Sequence, residues 1–471
     1  MLAVLKNLSY RRLFFAQVIA LLGTGLSTVA LALLAYDLAG GNAGAVLGAA
    51  LALKMVAYVS IAPIVGGLAH RLPRRVLLVS LDLLRAALVC LLPFVTEVWQ
   101  VFLLIFLLNA CSAGFTPTFQ ATIADVLPEE VDYTQALSLS RLAYDLENLF
   151  SPALAAAALL FLSYDGLFSL NACAFLVSAA LIVTLQLPRP VAPERTGGLW
   201  ANTRFGLESY LRTPRLQGLL ILSLAVAAAG AMVIVNTVVY VREHLGRSET
   251  DTALVLAAYG FGSMVVALSL PRLLKGRSDR PLMLTGAFLL AAGLAAGLFK
   301  PGFFALLPLW ALLGAGASLV QTPAGRLLVR SSQEADRPAY YAAQFALSHG
   351  CWLLAYPLAG YLSSGPGLDA AFLVLALVAL ASALAAAWVW PRDDAVPLKH
   401  RHEALRHEHL HVHDEHHQHD HKGFEGEEPH RHEHLHEVLE HSHPVTIDLH
   451  HPTWPISSGR GNSQSHEHGH G

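Results

Sequence analysis

The chain has 471 residues, of which 54% are hydrophobic and only 14% are charged. Soluble domains carry about 25% charged residues, so this composition excludes an ordinary water-soluble globule, a disordered chain and a disulfide-rich secreted module. Residues 391–471 contain 15 acidic and 7 basic residues and 21 of the 24 histidines. The sequence therefore divides into an apolar body and a polar, histidine-rich tail, and neither part is basic enough to suggest a nucleic-acid partner.

Apolar stretches of about 20 residues recur along the body, and each is long enough to cross a bilayer as a helix. The first stretch is too long for a cleaved signal peptide, and no small-residue cleavage site follows it. The sequence thus predicts an all-α membrane protein with twelve transmembrane helices. The predicted spans are 12–36, 45–68, 76–95, 98–124, 136–163, 166–187, 216–241, 252–274, 281–299, 303–330, 339–363 and 368–390.

Basic residues are concentrated in the loops on one side of the predicted membrane. Those loops, together with the segment 188–215, hold 18 lysines and arginines, whereas the opposite loops hold 3. Positively charged loops stay in the cytoplasm. We therefore expect a multi-pass protein of the cell (inner) membrane with both termini, the segment 188–215 and the tail in the cytoplasm.

The body is a duplicated unit, because three sequence markers recur at an offset of 205 or 206 residues. An even number of spans in each copy gives two parallel six-helix repeats, the arrangement that places a substrate site between the halves. The predicted units are 1–187, a linker 188–215, 216–390 and the tail 391–471. The markers are Pro152 with Pro357, Pro117 with Pro323, and the basic turn 70–75 with 275–280.

Charged residues inside the predicted spans are costly, about 2.5–3.5 kcal/mol each at a span centre, so each needs a partner or a function. Asp82 and Arg85 are three residues apart and can pair on one helix face, as can Arg141 and Asp145 at a spacing of four. Glu147 lies about 200° around the helix from Asp145 and cannot share the same arginine from that face. It is either bonded across helices or a proton-carrying carboxylate.

His349 is the one histidine well inside a predicted span, and two interpretations stay open. It is either a hydrogen-bonded core residue or a contact for a metal ion or proton, because imidazole binds nickel, zinc and cobalt and titrates near physiological pH. Lys54 in the second span either extends to the membrane surface or pairs with an acid of a neighbouring helix. Since it would repel a dication, a structural or gating role is expected.

Uncharged polar residues form stripes on four of the spans. A stripe of this kind either lines a hydrated path or bonds helices together. The placement of the stripes favours a path for a polar substrate. They comprise Gln17, Thr24 and Thr28; Asn109, Ser112, Thr116 and Gln120; Asn236 and Thr237; and Ser318, Gln321 and Thr322.

The tail is the strongest chemical signal in the sequence. Alternating histidines suit late first-row divalent metals, and interleaved acids add negative potential. The tail is too polar to bury a core and is expected to be disordered, and a solvated spacer without a metal role is the alternative. The segment Arg-His-Glu-His-Leu-His occurs at 406–411 and again at 431–436. The candidate metal ligands are His407, His409, His411, His413, His416, His417, His419, His421, His430, His432, His434 and His436.

The turn at residues 66–75, Gly-Gly-Leu-Ala-His-Arg-Leu-Pro-Arg-Arg, resembles the signature loop of the major facilitator superfamily, which usually has Asp where this chain has His70. Residues 82–85 resemble the extension of that signature in drug and siderophore exporters. Segments 140–148 and 343–349, with the tail, resemble the nickel-resistance exporters of the superfamily. The resemblance implies the major facilitator fold, a central cavity lined by the striped helices, and gating roles for Gly67, Arg71, Arg74, Arg75, Asp82, Arg85 and Arg141.

These patterns predict a proton-coupled exporter of nickel, with cobalt or zinc as further cargo, that confers metal resistance and works as a monomer. No tightly bound cofactor is expected, because the metal is cargo and tail ligand. Catalysis has no support, and no Walker-type loop is present, so an ion gradient drives transport. The alternatives are an exporter of drugs or metal chelates whose tail senses metal, and a membrane-anchored metal store. The transport candidates are Asp145, Glu147, His349, Asn109, Gln120 and Gln321, with Asp145 supporting Glu147 and His349.

Overall fold

The structure is a computed structural model that describes residues 2–39, 43–188, 198–392, 398–402, 405–411, 430–436 and 439–443. Fourteen α-helices lie within the described body, and twelve of them have 18 residues or more. The helices are α1 (Leu8–Ala39), α2 (Ala43–Leu68), α3 (Arg74–Leu91), α4 (Val98–Val126), α5 (Glu130–Leu159), α6 (Tyr164–Val183), α7 (Leu199–Arg212), α8 (Pro214–Val239), α9 (Glu249–Leu273), α10 (Asp279–Gly297), α11 (Phe303–Gln321), α12 (Ala324–Ser331), α13 (Arg337–Ser364) and α14 (Leu368–Val389).

The twelve long helices coincide with the twelve predicted spans, which confirms the predicted fold class. Ten of the membrane-length segments in the described residues are also apolar enough to cross a bilayer. The other two long helices, α5 and α13, have 30 and 28 residues but contain more polar side chains. These two are the fifth and the eleventh long helices, and each packs against the other half of the molecule as well as its own.

Proline explains where the tenth predicted span is interrupted. Pro323 lacks a backbone N–H, and α11 ends at Gln321 before α12 begins at Ala324. Pro117, by contrast, lies inside the continuous helix α4. Pro117 and Pro323, which mark the repeat, therefore have different consequences for the backbone in the two halves.

The predicted duplication is visible in the helix packing. In the first half α1 and α3 both pack along α6, and α2 packs along α4. The equivalent helices of the second half make the same pairs, since α8 and α10 pack along α14 and α9 packs along α11. Glycine permits the last contact, because a Cβ on Gly262 would lie 1.8 Å from the carbonyl oxygen of Ala311.

The helix α7 lies in the predicted linker and packs against both α2 and α13. It therefore covers one end of the bundle, where the loops after α2 and α9 also lie. We call this the basic end, defined by the loops 69–73 and 274–278, and the other end the opposite end.

Four short strands lie in the tail: β1 (Leu398–His402), β2 (Leu405–His411), β3 (His430–His436) and β4 (Leu439–His443). β1 pairs with β4 and β2 with β3, both antiparallel. At these strands the structure differs from the predicted disorder. The physical reason is the alternating repeat, whose two copies at 406–411 and 431–436 have the two-residue period of an extended strand and pair with each other.

Candidate transport site

Ion pairs that cross between the halves hold them together at the basic end. The Arg326 guanidinium lies 2.8 Å from an Asp279 oxygen and 2.6 Å from a Glu130 oxygen. Arg330 contacts the same two carboxylates, at 2.7 and 3.0 Å. Because Glu130 begins α5 and the other three residues belong to the second half, this cluster joins the halves.

A second cluster at the basic end has the opposite arrangement of charge. Asp125 of α4 pairs with Arg74 of its own half and accepts a hydrogen bond from Arg337 of the second half at 2.5 Å. Arg74 and Asp125 precede Asp279 and Arg330 by 205 residues. Equivalent positions in the two halves thus form equivalent ion pairs with the signs exchanged, and each pair gains a partner from the other half.

The predicted signature loop lies beside these clusters. A Cβ on Gly67 would lie 2.5 Å from the Thr203 hydroxyl oxygen, so glycine is required for α7 to approach the end of α2. Arg75 donates to the carbonyl oxygen of Leu185 at 3.4 Å, while Arg71 is exposed. Of the predicted gating arginines in this loop, Arg74 is therefore the one whose ion pair connects to the second half, through Asp125.

At mid-helix depth, Arg141 bridges the two halves. Its Nε donates to the Ser263 hydroxyl of α9 at 2.8 Å and lies 3.2 Å from Asp145 Oδ1, and its Nη1 donates to Gln321 Oε1 of α11. The Arg141–Asp145 pair follows the predicted spacing of four. The sequence prediction grouped Asp145 with Glu147 and His349. In the structure Asp145 instead belongs to the cluster around Arg141, because Asp145 and Glu147 lie on different faces of α5.

A second set of ionisable groups includes Glu147, which lies on the side of α5 next to α1, where a Cβ on Gly25 would be 3.1 Å from Glu147 Oε1. Lys54 of α2 acts electrostatically on both Glu147 and His349. Its Nζ lies 5.7 Å from the centre of the Tyr58 ring, and that ring packs edge-on against the His349 imidazole at 4.8 Å. Phe345 covers the imidazole from a neighbouring position at 4.1 Å. Tyr58 therefore links Lys54 of α2 to His349 of α13 across the halves, and Lys54 is the charged group within electrostatic range of both Glu147 and His349.

The hydrogen bond of His349 decides which ring nitrogen is available. Nδ1 lies 2.7 Å from the carbonyl oxygen of Phe345. A carbonyl only accepts, so Nδ1 carries the proton and Nε2 is the acceptor of the neutral ring. In metal sites, histidine ligands commonly donate a hydrogen bond from one ring nitrogen to a backbone carbonyl, and this bond orients the other nitrogen towards the metal.

The sequence left open whether the polar stripes line a hydrated path or bond helices together, and the contacts differ from one stripe to the next. Asn109 and Ser112 donate to the carbonyl four residues earlier in α4, at 2.7 and 3.1 Å, and the half-buried Gln120 follows them along the same helix. Asn236 instead donates to a carbonyl of α13, and Thr237 accepts from an indole N–H of α11 at 2.9 Å. The α8 pair thus bonds helices together, whereas Asn109 and Ser112 bond only to their own helix.

Metal ligands were predicted in the tail, and the structure describes only part of it. The register of β2 with β3 sets His407 opposite His434, His409 opposite His432 and His411 opposite His430. The candidates His413, His416, His417, His419 and His421 lie outside the described residues. In the body, whose side chains the structure describes, no group of three or more His, Cys, Asp or Glu side chains comes together that could hold a metal ion.

Twelve long helices in two repeated bundles, with polar clusters on the surface where the bundles meet, define a polytopic membrane transporter. The chain belongs to the Major Facilitator Superfamily, whose family model matches residues 13–275 and 220–412. It is 25% identical over 327 residues to an uncharacterised transporter of this type, YfiS of Bacillus subtilis, a match that covers 66% of this chain and 76% of YfiS.

A second relative is the multidrug efflux pump Tap of Mycolicibacterium fortuitum, 26% identical over 317 residues, which are 64% of this chain and 77% of Tap. Among solved structures, a bacterial homologue of the iron transporter ferroportin in its outward-facing state superposes with a TM-score of 0.66. It is 15% identical and the match covers 81% of this chain and 98% of that one, so the likeness concerns the fold.

Sequence reasoning missed several residues that join the halves, chiefly Glu130, Asp279 and Ser263. The 205-residue offset could have revealed Asp279, because it occupies the position equivalent to Arg74 and has the opposite charge. Ser263 carries no comparable signal, since a small polar residue in an apolar helix has many roles. Its importance follows only from its contact with Arg141.

Proposed function

We propose that this protein exports divalent late first-row cations, nickel foremost with cobalt or zinc as further cargo, from the cytoplasm in exchange for protons. The observation that carries the proposal is the polar contact between the halves at mid-helix depth, where Tyr58 of α2 packs against His349 of α13 and Lys54 lies within electrostatic range of both Glu147 and His349. A carboxylate and an imidazole acceptor are ligands that such metals accept. In a transporter that rocks between two conformations, ligands from opposite halves form a site that assembles and separates.

The energetics favour exchange with protons. Moving one charge against the membrane potential costs about 2.3 kcal/mol per 100 mV, so outward movement of a dication costs about 4.6 kcal/mol per 100 mV. Inward movement of protons offsets that cost. Contacts in the described residues support a form closed at the basic end, where the interhalf ion pairs lie; we assign this end to the cytoplasm from its basic loops.

The tail supports a metal substrate. The backbone register pairs three histidines of β2 with three of β3, namely His407 with His434, His409 with His432 and His411 with His430. In the same register Glu408 is paired with Glu433. Imidazole groups repeated in this way suit divalent late first-row cations, and tethering a metal-binding tail to the carrier raises the metal concentration at its inner opening.

Uptake of radioactive nickel into inside-out vesicles, driven by an imposed pH gradient, tests the proposal. We expect Glu147→Gln and His349→Ala each to abolish uptake. The exposed residues of the π-helical turn after α8 supply matched controls, Glu243→Gln and His244→Ala, which should transport normally. Normal nickel uptake by Glu147→Gln would remove that carboxylate from the mechanism.

Removal of residues 393–471 tests the role of the tail separately. We expect the shortened protein to bind fewer nickel ions at equilibrium and to transport more slowly at low nickel concentration, with an unchanged rate at saturation. An unchanged affinity of the purified protein for nickel would contradict the assignment of metal binding to the tail.

A second candidate function is export of an organic compound or a metal chelate, with the tail as a metal sensor. The position of Lys54 favours it, because a fixed positive charge beside Glu147 and His349 opposes a bare dication. The similarity to the Tap multidrug pump is consistent with it. Vesicles that accumulate a cationic dye or a nickel chelate but no free nickel would establish this function in place of the first.

A further inference from the structure

A cavity of about 380 Å³ lies at the basic end, between the first turn of α3 and the residues that follow α6. In the part of the chain that the structure describes, its lining consists of Pro73, Arg74 and Arg75 on one side and residues 185–188 on the other. The charged side chains of this lining are the two arginines. Because small-molecule sites have volumes of about 300–1,000 Å³, the cavity is large enough for a ligand and positive in charge.

The start of α3 supplies hydrogen-bond donors at this cavity. The first N–H groups of a helix have no acceptor within the helix, and Pro73, which precedes α3, provides no side-chain cap. Arg74 pairs with Asp125, but its Nε is buried without a hydrogen-bond partner among the described residues. Arg75 is exposed, and its bond to the Leu185 carbonyl oxygen is long, at 3.4 Å. Such donors at the positive end of a helix dipole suit a phosphate group.

The equivalent place in the second half is filled by the protein itself. Arg280 and Trp390 follow Arg75 and Leu185 by 205 residues. Arg280 donates to the carbonyl oxygen of Trp390 at 2.9 Å and to that of Ala387 at 2.6 Å. The Trp390 side chain, which is larger than leucine, is 1% exposed. In the second half the arginine is thus engaged with the end of α14, whereas in the first half its counterpart is exposed beside a cavity.

Charge also distinguishes the two places. Asp279 occupies the position equivalent to Arg74 and forms ion pairs with Arg326 and Arg330. An acid at this position repels a phosphate group, whereas Arg74 attracts it. The features that suit an anion therefore belong to the first half.

The cavity lies at the depth of the lipid headgroups, because the membrane-length segments Arg74–Phe94 and Tyr164–Val183 both have an end beside it. The helices that pack along α3 and α6 belong to the first half. Each of these two helices also exposes apolar side chains at intervals of about two turns, so that they form a stripe leading away from the cavity. The stripes comprise Val76, Leu83, Leu84 and Leu91 on α3, and Val183, Val177, Leu176 and Leu170 on α6. An acyl chain can lie along these stripes while its headgroup occupies the cavity.

We propose that this cavity binds the phosphate headgroup of an anionic phospholipid, which Arg75 and the first turn of α3 hold. Arg12 of α1 adds positive charge beside it, since its Nη1 donates to the carbonyl and hydroxyl oxygens of Thr184 at 3.2 and 3.1 Å. Basic pockets between transmembrane helices on the cytoplasmic side suit anionic headgroups. The inference goes beyond the proposed function and does not depend on which cargo the carrier moves.

Native mass spectrometry of the purified full-length protein in detergent counts the lipids that it binds. Dioleoylphosphatidylglycerol is the anionic probe, and dioleoylphosphatidylcholine has the same acyl chains without net charge. We expect the first phosphatidylglycerol to bind at least about fivefold more tightly than phosphatidylcholine, since one basic residue near an anionic lipid contributes about that factor. Equal binding of the two lipids would overturn the inference.

Three variants locate the site. Arg75→Gln should weaken binding of the first phosphatidylglycerol by about fivefold, and its packing should be undisturbed because Arg75 is exposed. Leu185→Trp introduces the residue of the second half and should weaken binding at least as much, without a change of charge. Arg277→Gln, exposed in the equivalent loop, removes the same charge outside the cavity and should bind lipid normally. Equal weakening by Arg75→Gln and Arg277→Gln, or unchanged binding by Leu185→Trp, contradicts a site in this cavity.

Competition with glycerol 1-phosphate distinguishes a lipid from a free anion. This compound has the phosphate headgroup chemistry but no acyl chains. We expect phosphatidylglycerol to stay bound at concentrations of glycerol 1-phosphate far above that of the lipid, because the apolar stripes hold the chains. Displacement at concentrations similar to that of the lipid would identify a site for a free phosphate and overturn the lipid assignment.

Discussion

Asp82 and Arg85 form an ion pair within α3 that is almost completely removed from solvent. Replacing one of the two residues should therefore lower the free energy of unfolding more than replacing both. The side chain of Asp82 is 0% exposed and that of Arg85 7%. Ser178 of α6 donates to the second oxygen of Asp82 at 2.7 Å. The guanidinium carbon lies 4.0 and 4.4 Å from the centres of the Phe115 and Phe175 rings, so the pair also joins α3 to α4 and α6.

The expected magnitudes follow from this burial. Arg85→Met leaves the Asp82 carboxylate buried without its cation, which costs about 3–5 kcal/mol in comparable buried pairs. Asp82→Leu leaves the arginine unpaired and should cost a similar amount, although the aromatic rings stabilise it by about 0.5–2 kcal/mol. The double variant carries no charge at this position, so its stability should lie close to that of the unmodified protein.

Equilibrium unfolding in a titration of mixed micelles with denaturing detergent measures these free energies, and nickel uptake is followed in parallel. The double-variant cycle isolates the interaction energy. If the double variant is as unstable as either single variant, the pair is not a self-contained structural unit. If it is stable but inactive, the pair serves transport and not only the bracing of helices.

Glycine contacts and interhalf ion pairs supply further predictions. Gly25→Ala places a Cβ 1.9 Å from the Ser151 hydroxyl oxygen, which should lower the free energy of unfolding by about 1–3 kcal/mol. Adding Ser151→Gly to this variant should restore its stability. If it does not, the strain caused by the new Cβ lies elsewhere. Gly262→Ala brings a Cβ to 1.8 Å from a backbone oxygen of α11, so no side-chain substitution should rescue it, as detergent unfolding can verify. Arg337→Ala removes the interhalf partner of Asp125, so it should shift the equilibrium towards the form open at the basic end by about 1.5–3 kcal/mol, as for a lost charged hydrogen bond. The measurement is the distance between spin labels at the exposed positions Leu72→Cys and Arg277→Cys in the loops of the basic end; an unaltered distance would show that this contact does not hold the halves closed.

The sequence by itself determined the features that depend on local spacing. Twelve apolar stretches become twelve long helices because an apolar segment of membrane length can satisfy its backbone only as a helix. The pairs Asp82–Arg85 and Arg141–Asp145 form as their spacings of three and four predict, since such residues are neighbours on one helix face. The duplicated markers likewise predicted the repeated packing of the two halves.

Only the tertiary structure decided which groups meet across helices. Asp145 and Glu147 are two residues apart, yet Asp145 contacts Arg141 while Glu147 lies beside Gly25 of α1 and within electrostatic range of Lys54. Helical periodicity separates their faces but does not say what each face meets, because that depends on the packing of α5 against α1 and α9. The contacts of Arg141 with Ser263 and Gln321 of the second half follow from that packing and from no pattern in the sequence.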